Sequence, residues 1–140
     1  MMISTKGRYA LRVMVDLAEG DMDGYMPLKE IAANQGISLK YLESITGLLS
    51  KAHMVESASG KGGGYRLTKK ASEYKVGDIL RVVEGDLSPV TCLENEGSKC
   101  ERRNLCYVLP FWIGLEKTIN DYIDSHTLED VIRMKNENID

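Results

Sequence analysis

All three cysteines of the chain, Cys92, Cys100 and Cys106, fall inside one 15-residue window. Thiolates are nucleophiles and ligands for soft metals, and an odd number of them makes a poor disulfide framework. Metal or redox chemistry is therefore the better reading. The spacing C-x7-C-x5-C lacks the close C-x2-C pairs of a zinc ribbon, and neither His53 nor His126 lies within the window, so zinc is the weaker match. An iron–sulfur cluster on three cysteines, with a fourth ligand from elsewhere, fits better because such clusters are held chiefly by Cys with occasional substitution. Reactive free thiols are the other reading left open by the spacing. A cysteine-based redox enzyme has little support, since the chain contains no resolving C-x-x-C pair.

A second set of residues is suited to recognition. Lys40, Ser44, Gly47 and Lys51 follow one another at three- and four-residue steps, with Glu43 three after Lys40 and four before Gly47, opposite an apolar face of Leu39, Leu42, Ile45 and Leu49. On a helix lying in a DNA major groove, Lys40 and Ser44 could donate to base edges or phosphates, and Glu43 could accept from a cytosine amine. An isolated helix with such a face would more simply be solvated, so the elements around it decide.

Those elements begin with a helix capped by Ser4 or Thr5 and carrying Ala10, Leu11, Met14, Leu17 and Ala18 at helical spacing. Its first turn holds Lys6 and Arg8, cations at the positive end of the helix dipole, a choice that an anion such as a DNA phosphate would reconcile. Two solvated charges are the plainer alternative. Pro27 fits the first turn of a second helix, LKEIAANQ, which Gly36 ends, and Ser38 caps a third that reads from Ser38 to Met54. Val55–Ala58 and Tyr65–Leu67 read as strands joined by SGKGGG. Two helices followed by a glycine-tipped hairpin is the order of a winged helix-turn-helix, with Ser59 and Lys61 in the wing placed to meet phosphates or a minor groove. A phosphate-binding loop of a nucleotide hydrolase is excluded, because Lys61 is followed by glycine and the loop opens no helix.

Next comes a short helix, VGDILRVVEG, whose Ile79, Leu80, Val82 and Val83 are available to pack under the wing. Residues 86–106 lack periodicity and read as a long functional loop. A final long helix begins near Tyr107, with Pro110 in its first turn. On it Val108, Trp112, Leu115, Ile119 and Tyr122 alternate four- and three-residue steps, the spacing of a coiled-coil seam. A seam wants a partner helix, and two chains paired there would set two reading heads about 34–36 Å apart on DNA. Intramolecular packing is the alternative. Thr127 and Asp130 resemble a capping box for a short last helix, and the tail from Met134 is expected to fray.

Length and composition agree. The 140 residues, 43% hydrophobic and 28% charged, suffice for one ordinary globular core, and no apolar run is long enough to span a bilayer. The start of the chain lacks a secretory signal, so a cytoplasmic location without a membrane partner is expected. Residues 1–75 carry net charge +3 and residues 76–140 net −6, which suits a protein presenting one face to a polyanion.

Taken together, ISTKGRYALRVMVDLA, IAANQGISLKYLESITGLLSKAHMVES, GKGGGYRL and the three cysteines resemble the IscR-type winged-helix regulators, the group that also contains NsrR, RirA and CymR. The resemblance runs from about Met2 to Val131. It implies a mainly α fold with a small β-hairpin wing (α+β), divided into a DNA-binding domain at 1–85, a cysteine sensor loop at 86–106, and a dimerisation helix and tail at 107–140. It implies a homodimer on a double-stranded DNA operator, repressing or dually regulating genes of iron–sulfur cluster biogenesis or related iron and redox functions. Cys92, Cys100 and Cys106 would be the ligands of an iron–sulfur cluster, [2Fe–2S] favoured over [4Fe–4S]. The DNA contacts would come from Lys6, Arg8, Ser38, Lys40, Tyr41, Glu43, Ser44, Ser59 and Lys61, with Glu43 discriminating between promoter classes. The chain departs from its relatives in several places. Leu109 stands where IscR has a histidine, Arg8 where NsrR has an acidic residue, and Ser59 where the wing has an arginine; the gap between the first two cysteines is slightly longer than in IscR. The fourth ligand could be solvent, a small thiol, or a carboxylate such as Glu94 or Glu101. The alternative within the family is a CymR-like regulator of cysteine metabolism, without a cluster, that receives its signal through thiols or a partner protein.

Overall fold

A computed structural model describes residues 3–20, 23–96 and 104–137. The first helix, α1 (Thr5–Glu19), buries Ala10, Val13, Met14 and Leu17 along one face. Ser4 occupies the N-cap position, but its hydroxyl makes no capping bond to the helix. The carboxylate of Glu84 does that work instead, accepting from the amide of Gly7 at 2.8 Å and from the Ser4 amide at 3.3 Å, with the Ser4 hydroxyl also bonded to it. Gly7 permits this approach, because a Cβ there would lie 2.7 Å from Glu84 Oε1.

The helix-turn-helix follows. Pro27 lies one position before α2 (Leu28–Gln35) rather than in its first turn, with extended backbone and its carbonyl accepting from Glu30 and Ile31. Gly36, at φ 65°, ends α2 as the sequence predicts. The guanidinium of Arg12 reaches across from α1 to the Gln35 carbonyl at 2.7 Å and so satisfies a C-terminal carbonyl of α2. Ser38 caps α3 (Leu39–Lys51), accepting from the Tyr41 amide at 3.1 Å. Leu42, Ile45, Thr46 and Leu49 of α3 are fully buried. Leu39, expected on that inward face, is instead 39% exposed. The three leucine and isoleucine side chains further along already fill the core, and Leu39 sits at the helix edge.

Helix α3 stops at Lys51, three residues short of the expected Met54. His53 takes a left-handed conformation at φ 61°, and the Met54 amide bonds back to the Leu49 carbonyl, a Schellman-type ending built without glycine. This turn directs the chain into β1 (Val55–Ala58), which pairs antiparallel with β2 (Gly64–Leu67) in the register Val55↔Leu67 through Ala58↔Gly64. Met26 adds a bridge to Tyr65 on the other side of β2. Only glycine fits at position 64, since a Cβ would lie 2.1 Å from the Met26 carbonyl oxygen. Behind the hairpin, the buried Tyr74 hydroxyl donates to the Met54 carbonyl at 2.7 Å and accepts from the Thr68 amide at 2.9 Å, fixing the base of the wing.

Helix α4 (Val76–Glu84) packs chiefly on α1 rather than under the wing. Ile79 joins the main core, while Val76 and Leu80 form a second cluster with Leu87, and Ile3, Leu11, Ile123 and Val131 pack around it. Its polar side is not idle: Arg81 makes a two-pronged salt bridge to Asp124 at 2.8 and 2.9 Å and bonds Asn120 at 3.1 Å, tying α4 to α5 (Leu109–Asp124). Pro110 sits in the first turn of α5, as expected. The capping box is present, with Thr127 and Asp130 exchanging backbone-to-side-chain bonds at 2.9 and 3.1 Å ahead of α6 (Leu128–Glu137). Leu128 is fully buried in the same core as α1 and α3, so the chain returns to the first core after α5. The expected fraying from Met134 does not extend to Glu137, which is still helical; residues 138–140 lie outside the described residues.

Candidate nucleic-acid interface and cysteine segment

The fold places the predicted recognition residues on two flanks of α3. On the α1 side, Lys6 lines one depression together with Ser38, Lys40, Tyr41 and Ser44. Sequence spacing alone could not have joined Lys6 to α3; the packing of Tyr9 edge-on against Tyr41, with ring centroids 5.9 Å apart, does so. Arg12 lies over the same Tyr9 ring, 4.7 Å from its centroid. On the wing side, Glu43 and Ser59 line a cleft with Leu39, Lys29 and Ser57. Lys29, Leu39 and Ser57 were not among the expected contacts. Lys29 belongs to the start of α2, and the Met26–Tyr65 bridge, with Arg66 over the Tyr25 ring, brings that start beside the wing.

Arg8 and Lys61 stand outside both clefts. Arg8 is exposed and donates to the Thr5 hydroxyl at 3.0 Å, while Lys61 is exposed at the wing tip. The expected conflict between the cations of the first turn and the helix dipole has an internal answer as well as an external one. Glu84 supplies negative charge at the α1 N-terminus, so the favourable charge does not have to come from a phosphate.

Cys92 lies in a 3₁₀ turn spanning Thr91–Glu96, and Cys106 lies three residues before α5; both are half-buried free thiols. Cys100 and Glu101 lie outside the described residues, and among the described residues no three potential ligands converge. The donor chemistry that is present fits a thiophilic group, because both described cysteines are free thiols and Cys106 lies near the start of a helix. The segment is anchored by Ser88, only 5% exposed. Its hydroxyl lies 2.6 Å from Asp86 Oδ1, 2.8 Å from Glu116 Oε2 and 3.2 Å from the Leu93 carbonyl oxygen. The hydroxyl has one proton to donate among these three acceptors, so Ser88 places the turn holding Cys92 beside α5 without bonding to both at once.

From this segment an exposed apolar band runs along α5. Tyr107, Val108, Phe111, Leu115 and Tyr122 are all exposed, Tyr107 almost completely. Of the expected seam, Trp112 and Ile119 are half-buried and the other three face outward, so the band is not consumed by packing within the chain. At the far end of α5, the Arg81 guanidinium holds the Asp124 carboxyl below its ordinary pKa, and Arg81 itself is raised by the same bond.

Two helices, a turn, a third helix fitted for a groove, and a bridged wing define a winged helix-turn-helix regulator that binds DNA. Residues 3–134 match the family described as "Rrf2: Iron-dependent Transcriptional regulator", and the chain belongs to this family. The HTH-type transcriptional regulator IscR of Pectobacterium carotovorum is 36% identical over 135 residues, covering 96% of this chain and 81% of that protein. Among solved structures, T. potens IscR is similar with a TM-score of 0.79 at 35% identity, covering all of this chain and 93% of that one. CymR, the global cysteine regulator of B. subtilis, is similar with a TM-score of 0.75 at 39% identity, covering 94% of this chain and 95% of that one. No helix among the described residues is long and apolar enough to cross a membrane.

Proposed function

We propose that this regulator is a homodimer, paired through α5, whose grip on operator DNA is set by an iron–sulfur cluster held by Cys92, Cys100 and Cys106. The observation that carries the proposal is the placement of the cysteine segment. Cys106 lies three residues before α5, the exposed apolar band starts beside it, and the Ser88 hydroxyl lies between the turn of Cys92 and Glu116 on the same helix. When bound, the cluster would link the three thiolates to one another. The residues would then convert that link into a change at the pairing helix, and through Arg81 and α4 into a change at the reading head. A coupling of about 1–3 kcal/mol between cluster and DNA suffices to alter promoter occupancy. A [2Fe–2S] cluster is the first choice and [4Fe–4S] the second. At the DNA, Lys6, Ser38, Lys40, Tyr41 and Ser44 serve one flank of α3, Glu43 and Ser59 the other, and Arg8 and Lys61 add phosphate contacts from outside the clefts.

The second reading, a cluster-free regulator of cysteine metabolism acting through thiols or a partner protein, is favoured by the similarity to B. subtilis CymR and by the half-exposed Cys92 and Cys106 thiols. One measurement separates the two: iron and acid-labile sulfide per chain after anaerobic purification, with Cys106→Ala as control. Stoichiometric iron and sulfide that vanish in the variant support the cluster. Their absence after attempted reconstitution sinks the cluster reading and favours thiol or partner sensing.

A further inference from the structure

We propose that Leu39 is a second base-reading residue beside Glu43, selecting thymine by contact with its C5-methyl group. The inference rests on α3 entering the major groove, as in the reading above. Leu39 opens α3, is 39% exposed, and lines the wing-side cleft together with Glu43, Ser57 and Ser59. The core does not need it, since Leu42, Ile45 and Leu49 on the same helix are fully buried. An aliphatic side chain left half-open at the start of a recognition helix is where base-edge contacts are made in this architecture. In the major groove the thymine methyl is the distinctive apolar feature among otherwise polar base edges.

Leu39 and Glu43 are one turn apart on the same side of α3. Four residues of helix rise about 6 Å, and stacked base pairs are about 3.4 Å apart. The thymine read by Leu39 therefore falls within about two steps of the base read by Glu43. Thymine and cytosine differ at these two edges, so the pair would read a methyl at one position and an amine at the other.

The test begins by selecting duplexes from a randomised pool with the 140-residue chain. Each conserved thymine is then replaced singly by deoxyuridine, which pairs alike but lacks the methyl, and affinity is measured for the unaltered chain, Leu39→Ala and Glu43→Ala. One thymine per half-site should cost the unaltered chain about fourfold on replacement, the equivalent of about 0.8 kcal/mol for one methyl-sized apolar group. The same replacement should cost Leu39→Ala nothing and Glu43→Ala the full amount. Thermal melting of Leu39→Ala reports whether it is folded, and the deoxyuridine scan on the unaltered chain stands without it. A consensus with no methyl-sensitive thymine, or a penalty that persists in folded Leu39→Ala, overturns the role of Leu39 and leaves the groove reading intact. Failure to enrich any sequence overturns both.

Discussion

Alanine at position 7 should destabilise this protein, although alanine normally improves a helix. Replacing glycine by alanine inside a helix is ordinarily worth about 0.8–1.0 kcal/mol in favour of folding. Here the new Cβ would lie 2.7 Å from Glu84 Oε1, 3.1 Å from its Cδ and 3.0 Å from Ile3 Cγ2. Glu84 must swing aside, which breaks the 2.8 Å bond from the buried Gly7 amide. A hydrogen bond to a charged acceptor contributes about 1.5–3 kcal/mol, and the carboxylate's interaction with the α1 dipole about 0.3–1 kcal/mol more. After subtracting the gain in helix propensity, Gly7→Ala should cost about 1–3 kcal/mol. Urea unfolding at one fixed protein concentration measures this, concentration being held because association would itself move the midpoint. The decisive comparison is the same substitution in a Glu84→Ala background. With the carboxylate gone, Gly7→Ala should become neutral or stabilising, and the two changes should be strongly non-additive. A Gly7→Ala protein more stable than the original chain would refute the capping role of Glu84.

Three other outcomes follow from particular contacts. Tyr74→Phe removes the donor to the Met54 carbonyl and the acceptor for the Thr68 amide, so unfolding should become easier by about 1–3 kcal/mol; a change under a few tenths would show that the wing base does not depend on this hydroxyl. Asp124 is held below its ordinary pKa by Arg81, so its contribution is present above the unfolded carboxyl value of about 3.9 and is lost as pH falls through the lower folded value. Thermal midpoints measured down to pH 2.5 should fall less steeply in Asp124→Asn, with the residual slope including Asp130, whose carboxyl is lowered by its bond from the Thr127 amide; an unchanged slope would exclude Asp124 as a source of acid sensitivity. Lys61→Ala should weaken all duplexes alike and reduce the dependence of log affinity on log salt by about 1, as loss of one phosphate contact does, whereas a sequence-dependent loss would place Lys61 at a base edge.

Local chemistry made much of this protein legible from its residues. Ser38 as a cap, Gly36 as a stop, the Thr127–Asp130 box and Pro110 in the first turn of α5 all depend on groups within four residues of one another. Periodicity located the buried side of α3 through Leu42, Ile45 and Leu49. Leu39 escaped it because a period assigns a residue to a face, but not to the part of that face that a neighbouring element covers. The end of α3 at Lys51 escaped it too, since His53 adopts a conformation that its residue type does not announce.

The amino-acid sequence by itself determined the class of protein: the order of helices and hairpin, the clustered thiols and the polar stripe on α3 were all present in residue type and spacing. Tertiary structure decided which distant groups meet. Glu84 caps a helix 77 residues away, Met26 closes the wing against Tyr65, and Lys6 lines one depression with Ser44 where Tyr9 packs on Tyr41. Such meetings are settled by how whole faces pack and exclude water, a balance over many residues that no short stretch of sequence encodes alone.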